Sequence, residues 1–149
     1  MGTTTPEALD TSTQKTQEWL HALEQRLGML PNQDDQAVYR VLRAFLQTLR
    51  DRLSPEEAAD LAAQLPMFLR GVFYEGWRPT QTPKRYDDAD AFLAEFFDRA
   101  QVVPGGVGER ELVRAASAVL ERHVTAGQYR HVLDQLPEAV RQVVAVPVR

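Results

Sequence analysis

Apolar residues recur at intervals of three and four along most of the chain, which is the pattern of helices that each bury one face. The longest series consists of Val38, Val41, Leu42, Phe45, Leu46, Leu49 and Leu53. The pattern predicts about eight helices, near residues 14–27, 36–53, 56–65, 67–74, 88–100, 109–123, 127–135 and 138–145. Only residues 143–148 resemble a strand, and Pro147 argues against their joining a sheet. We therefore expect an all-α fold.

Start and stop signals support these boundaries. Residues 1–13 are small and polar, which predicts a mobile N-terminal tail, with one of the threonines within 11–13 capping the first helix. Asp34 or Asp35 can cap the second helix. The segment 54–57, Ser-Pro-Glu-Glu, combines a cap, a first-turn proline and a capping-box glutamate. Pro66 ends one helix and is tolerated at the start of the next.

The second half of the chain repeats the plan of the first. An offset of 71 pairs the Leu-Pro dipeptides at 65–66 and 136–137, and it pairs the caps at 54–57 with 125–128. Upstream the offset is 73, which pairs Trp-Leu at 19–20 with Phe-Leu at 92–93. We interpret the chain as a duplication, with one unit at about 14–74, a connector at 75–87 and a second unit at about 88–145. Both units are expected to pack into one compact domain over 14–149.

Several of these segments together resemble a bacterial family called domain of unknown function 2267. They are the Ala-Ala-Asp-Leu-Ala-Ala-Gln-Leu-Pro segment at 58–66, the Gly-Trp-Arg-Pro turn at 76–79, the Phe-Leu pair at 92–93 and the second Gln-Leu-Pro at 135–137. The similarity covers roughly residues 14–145. It implies an all-helical fold of two related helical units, and it brings no activity, cofactor or site residue with it.

Composition narrows the classes of function. The chain has 149 residues, no cysteine and a formal net charge of −4 with both signs interspersed. Disulfides and thiolate metal sites are thereby excluded, and the acidic balance argues against general nucleic-acid binding. No apolar run is long enough to span a membrane or to act as a secretory signal near Met1. A cytoplasmic protein that does not enter membranes is expected.

The connector is the most informative segment, because aromatic and basic residues concentrate there without a counterpart in the second unit. One interpretation is a recognition surface formed by Tyr74, Trp77, Arg78, Lys84 and Arg85, since Trp, Tyr and Arg are enriched at interface hot spots. The other is a seam in which the rings seal the junction between the two units. Aromatic side chains supply most of the area that such a seam needs, which favours the seam.

Other candidate sites have structural explanations. Residues Arg40, Arg43, Gln47 and Arg50 form a polar stripe opposite the apolar face of the second helix, and a solvated surface is the expected reason. The histidines, at 21, 123 and 131, lack metal-ligand spacing and are expected at the surface or its boundary. The sequence shows no catalytic constellation, metal site or cofactor motif.

Three functions remain open. A non-enzymatic protein-interaction or regulatory module agrees best with these features, and its partner is either a second copy of the chain or another protein. A small-ligand-binding protein with a pocket between the two units is the first alternative. An enzyme of unrecognised type is the second, and the absence of a nucleophile, base and charge stabiliser in one motif argues against it.

Overall fold

The computed structural model describes residues 5–84 and 88–146. Within these ranges the chain forms eight α-helices and no strand. The helices are α1 (Glu7–Arg26), α2 (Asp35–Arg50), α3 (Pro55–Ala62), α4 (Met67–Tyr74), α5 (Ala89–Ala100), α6 (Glu109–His123), α7 (Ala126–Asp134) and α8 (Glu138–Val144). The all-α prediction is confirmed, and α2 to α8 begin and end within three residues of the predicted bounds.

The first helix begins earlier than the sequence predicts. It starts at Glu7, so the predicted mobile tail over 1–13 is wrong for residues 7–13, and residues 1–4 lie outside the described ranges. The predicted threonine cap is also wrong, because Pro6 precedes the helix and forms no side-chain cap bond. The apolar pattern did not predict the beginning of α1, because the side chains that face inward there, Ser12 and Thr16, are polar although they are buried.

Ser12 instead caps a different helix. Its Oγ accepts a hydrogen bond of 2.7 Å from the backbone N–H of Phe68, in the first turn of α4. Helix α4 follows Pro66, which offers no side-chain acceptor of its own. The exposed N–H groups of a helix start need such a partner, so α1 supplies across the fold what the local sequence lacks.

One continuous hydrophobic core joins all eight helices. Helices α2 and α6 lie at its centre: α2 packs against α1, α4, α5 and α6, and α6 also packs against α1, α5, α7 and α8. Their inward side chains are almost completely buried. The packing crosses between the first half (α1–α4) and the second half (α5–α8), because α1 contacts α6 and α5 contacts α2.

The predicted caps and proline junctions are present in both halves. Ser54 Oγ accepts from the N–H of Glu57 at 3.2 Å, and Thr125 Oγ1 accepts from the N–H of Gln128 at 3.1 Å. Asp34 caps α2 in the same way at 3.1 Å. Pro66 and Pro137 share nearly the same backbone conformation, with φ −55° and ψ 149° against φ −56° and ψ 149°.

Helices α3 and α7 meet through two matching hydrogen bonds, in which the residues of one bond occupy positions 71 away from those of the other. Gln64 Oε1 accepts from the N–H of Thr125 at 2.8 Å, and Gln135 Oε1 accepts from the N–H of Ser54 at 2.8 Å. The carboxylate of Glu57 does not close its own capping box and instead accepts a hydrogen bond from the Gln128 side chain. The two halves therefore use matching positions, although duplication as their origin stays a prediction.

The cap that α1 provides predicts a measurable stability difference. Ser12→Ala should lower the free energy of unfolding by about 1 kcal/mol, because the Phe68 N–H loses its acceptor. Thr13→Ala is the matched control, since Thr13 is exposed on the same turn and gains the same helix propensity. Urea unfolding followed by circular dichroism measures both. Equal unfolding free energies in the two variants would show that the bond is not stabilising.

Candidate functional site: the aromatic connector and the ion cluster beneath it

The polar stripe of α2 fixes the end of α4. Gln47 and Arg50 are buried, so the expected solvated surface is wrong for these two residues. The Gln47 amide donates to the carbonyl of Val72 at 2.9 Å, and Arg50 Nη1 donates to the carbonyls of Phe73 and Glu75 at 2.9 and 2.8 Å. These carbonyls belong to the last turn of a helix and the residue after it, where few backbone donors remain; that of Val72 also accepts from the N–H of Glu75 at 3.3 Å.

The connector begins with a tight turn that carries the two predicted aromatic anchors. The N–H of Trp77 donates to the carbonyl of Tyr74 at 3.0 Å, and Gly76 has φ +74° at the position where a type II turn needs it. The rings of Tyr74 and Trp77 lie 5.2 Å apart. Both side chains are half-buried against the core, and the Trp77 Nε1 atom is inaccessible to solvent. The rings thus cover the core edge while keeping an exposed side.

The middle of the connector is at the surface. Arg78 is exposed and precedes a short 3₁₀ turn, Pro79–Gln81, which is exposed as well. Arg85, the other predicted contact arginine, lies outside the described residues. The structure therefore places Tyr74, Trp77 and Arg78 together, and their role in recognition stays a prediction.

Lys84 occupies a different environment from the one predicted. Its backbone N–H donates to the carbonyl of Asp51 at 2.6 Å, and its Nζ lies 3.0 Å from Glu95 and 3.5 Å from the Asp51 carboxylate. The charge of Lys84 is thus already paired inside the protein. Lys84 holds the end of the connector down, as Arg50 holds its beginning.

The partners of Lys84 belong to a larger group, which we call the ion cluster. It consists of Arg50, Asp51, Arg52, Lys84, Glu95 and Arg99. Asp51 accepts from Arg99 at 2.6 Å and from Arg50 at 3.0 Å, and only 3% of Asp51 is exposed. Arg52 is fully buried, pairs with Glu95 at 2.9 Å and lies over the ring of Phe92. The cluster joins the end of α2 to α5 and to the connector.

The cluster favours ionised carboxylates. Burial alone would raise the pKa of Asp51, but hydrogen bonds and charge from Arg99 and Arg50 outweigh it and lower that pKa. Burial likewise opposes ionisation of Glu95, and hydrogen bonds from Lys84 and Arg52 lower its pKa overall. Desolvation lowers the pKa of Arg50 despite the nearby Asp51. Such mutual pairing explains how six charged groups are accommodated at the edge of the core.

A second surface feature was not found from the sequence. The outward face of α4 is apolar: Met67 and Phe68 are 62% and 52% exposed, and Gly71 and half-buried Tyr74 continue the same face. The corresponding positions of α8, at an offset of 71, are Glu138, Ala139, Gln142 and Ala145. Inward positions of the two helices are equally buried. Comparing α4 with α8 position by position is the signal that would have found this face.

The described residues also form open surface grooves. One groove of about 480 Å³ lies between the start of α1 and the α3–α4 junction, and a second of about 410 Å³ adjoins it near the end of α6. In residues 5–84 and 88–146, no group of three or more His, Asp or Glu side chains could hold a metal ion. No helix in those ranges combines the length and the apolar character that a bilayer span requires.

These features define an all-helical domain whose connector is held by hydrogen bonds from buried Arg50 at its start and by the ion pairs of Lys84 further along. Comparison with known proteins gives its family: the model of the family described as uncharacterized conserved protein (DUF2267) matches residues 16–143. The chain belongs to this family, so the predicted resemblance is confirmed. No curated protein matches the chain. The family description assigns no activity, and the function remains to be argued from the site itself.

Removing the central carboxylate of the ion cluster should destabilise the fold. Asp51→Asn leaves Arg50, Arg99 and Lys84 without their shared counter-charge, which should lower the free energy of unfolding by about 3–5 kcal/mol. Asp60→Asn is the matched control, because Asp60 is exposed on α3 and should change stability by less than about 0.5 kcal/mol. Denaturant titration compares the two. Similar midpoints for both variants would contradict a stabilising role for Asp51.

The lowered pKa values of Asp51 and Glu95 also predict the pH dependence of stability. Since each folded-state pKa lies below its unfolded value of about 4, the unfolded chain binds more protons as the pH falls. The stabilisation is therefore present at neutral pH and is lost from about pH 5 downwards. Unfolding free energies measured between pH 7 and pH 2 should fall less in Glu95→Gln than in the wild type. A parallel decline in both proteins would exclude Glu95 as a source.

Proposed function

We propose that this chain is a non-enzymatic protein-interaction module of the bacterial cytoplasm, and that its docking surface is the outward face of α4 continued into the connector. We call this surface the α4 face; it consists of Met67, Phe68, Gly71, Tyr74, Trp77 and Arg78. The observation that carries the proposal is the contrast with α8. The fold packs α8 equally well with Glu, Ala, Gln and Ala at these positions, so folding alone does not require large apolar residues on the outward side of α4.

Gly71 indicates the kind of partner. It lies inside α4 with a helical backbone, and a Cβ added there would meet no atom within 4 Å. Alanine would therefore fit and would favour the helix by about 1 kcal/mol, so glycine costs the isolated chain stability. A glycine among large apolar side chains allows another backbone to approach closely. We therefore expect the partner to present an apolar helix, from another protein or from a second copy of this chain.

The connector adds preorganisation to this surface. Arg50 fixes its beginning and Lys84 fixes its end, so the exposed Arg78 and the half-buried rings of Tyr74 and Trp77 are positioned before a partner arrives. An interface that is already ordered loses less conformational entropy on binding. Both carboxylates of the ion cluster are paired with basic side chains, so neither is available as a catalytic acid or base. This pairing agrees with a non-enzymatic role.

The proposal predicts that position 68 contacts a partner and position 139 does not. Two variants are made in cells that naturally produce the protein. In one, a photoreactive phenylalanine derivative replaces Phe68; in the other, it replaces Ala139, the counterpart of Phe68 on α8. Irradiation should yield a discrete crosslinked product from position 68 alone. The crosslinked protein, once identified, is purified and its affinity measured. Phe68→Asp should weaken binding at least tenfold, corresponding to about 1.4 kcal/mol, and Ala139→Asp should not.

Two results would overturn the proposal. One is the absence of a discrete product from position 68, or equal products from both positions. The other is unchanged affinity of Phe68→Asp for the purified partner. Sedimentation of the purified chain distinguishes the two sources of the helix, because only a second copy produces a dimer that Phe68→Asp dissociates.

A further inference from the structure

We propose that the groove between α1, the α3–α4 junction and the end of α6 binds a small anion that carries a carboxylate or phosphate group. We call it the His123 groove; its volume is about 410 Å³, which is within the usual range for small-molecule sites. Lys15, Arg70 and His123 line it together with one carboxylate, Glu18. The proposal concerns a separate site and does not depend on the α4 face.

His123 is held in a defined orientation at the base of this groove. Its ring stacks on Trp19 with centroids 4.8 Å apart, and Trp19 is only 3% exposed. Its Nδ1 lies 2.7 Å from the carbonyl of Val119. Since a carbonyl only accepts, Nδ1 carries the proton of that hydrogen bond, and Nε2 is the ring nitrogen left to contact a ligand.

Arg70 is also fixed in position. Its Nε and Nη2 donate to the carbonyls of Ala62, Ala63 and Leu65, at 3.0 to 3.3 Å. Its Nη1 has no acceptor among the described residues. Lys15 is exposed and forms no ion pair within the same ranges, and Glu18 is not within ion-pair distance of Lys15 or Arg70. The groove therefore keeps a surplus of positive charge that the protein itself does not neutralise.

The equivalent site between the end of α2 and α5 shows what these positions do when an acidic partner is present. His123 on Trp19 corresponds, at offsets of 71 and 73, to Arg52 over Phe92. Arg52 is paired with the carboxylate of Glu95 at 2.9 Å. At the offset of 73, the residue that corresponds to Glu95 is Ala22, one turn after Trp19 on α1. The ring and the basic group are thus retained, and the carboxylate is absent.

Arg70, the second basic residue of the groove, also lacks an acidic partner that its counterpart has. Arg70 corresponds to Arg141, whose Nη1 lies 3.8 Å from the carboxylate of Glu138. The counterpart of Glu138 is Met67, which carries no charge. Both basic groups have therefore lost the acidic partner that their counterparts keep. An external carboxylate or phosphate would restore the missing pairing through charge-assisted hydrogen bonds.

The test titrates the purified full chain separately with sodium pyrophosphate and sodium succinate, and with sodium chloride at matched ionic strength. Ring-nitrogen NMR signals of the three histidines report the site. The His123 signals should shift and saturate with at least one of the two probes, while those of exposed His21 and His131 should not. Saturation by pyrophosphate alone would identify a phosphate site, and saturation by succinate would identify a carboxylate site.

Two variants separate a site from general charge attraction. Lys15→Gln should weaken binding about tenfold, because one charge-assisted contact is lost. Arg130→Gln removes the same charge from an exposed position on α7 and should leave binding unchanged. His123→Phe keeps a ring on Trp19 and removes the NMR reporter, so its binding is measured by titration calorimetry beside the wild type and should be abolished. Equal shifts of all three histidines, no saturation by about 10 mM of either probe, or equal affinities of Lys15→Gln and Arg130→Gln would overturn the proposal.

Discussion

The arrangement of the chain depends on the buried carboxylate of Asp51. Its side chain accepts hydrogen bonds from Arg50 and Arg99, and its backbone carbonyl accepts the N–H of Lys84. Through these bonds one residue at the end of α2 orients the arginine that holds the end of α4, secures the end of the connector and draws α5 against α2. A charge buried without such partners would cost several kcal/mol, so the contacts form as a set. The position of the connector follows from this electrostatic requirement more than from its own sequence.

The fold could be predicted from local signals because the fold is built from them. The spacing of apolar residues at three to four positions predicted the bounds of α2 to α8. Ser54, Thr125 and Asp34 indicated helix starts, because each accepts a hydrogen bond from the residue three positions later. The start of α1 was missed because its buried residues are polar. A bond such as that from Ser12 to Phe68 joins residues 56 positions apart and leaves no mark on periodicity.

The candidate site was predicted less completely for a related physical reason. Aromatic composition did indicate the connector, and the structure brings Tyr74, Trp77 and Arg78 together. Residue type could not indicate that Gln47 and Arg50 are buried, because their acceptors are backbone carbonyls of α4, which have no sequence signature. Nor could it show that the charge of Lys84 is paired within the ion cluster. Charged residues are assigned to solvent by default, and that assumption fails where the ends of several helices meet.

The two halves of the fold provide an internal comparison that a single unit would not. Where positions at matching offsets serve folding, the chemistry is kept: Gln64 accepts from the N–H of Thr125 as Gln135 accepts from that of Ser54, and the two proline junctions share one conformation. The departures are concentrated around α4, which has an apolar outward face, and in the adjoining groove, where His123 and Arg70 lack the acidic partners that their counterparts have. Arg70 borders that groove from α4 and is fixed by the α3–α4 junction. Since the counterpart positions pack with ordinary residues, the unusual ones agree with the two proposed binding roles.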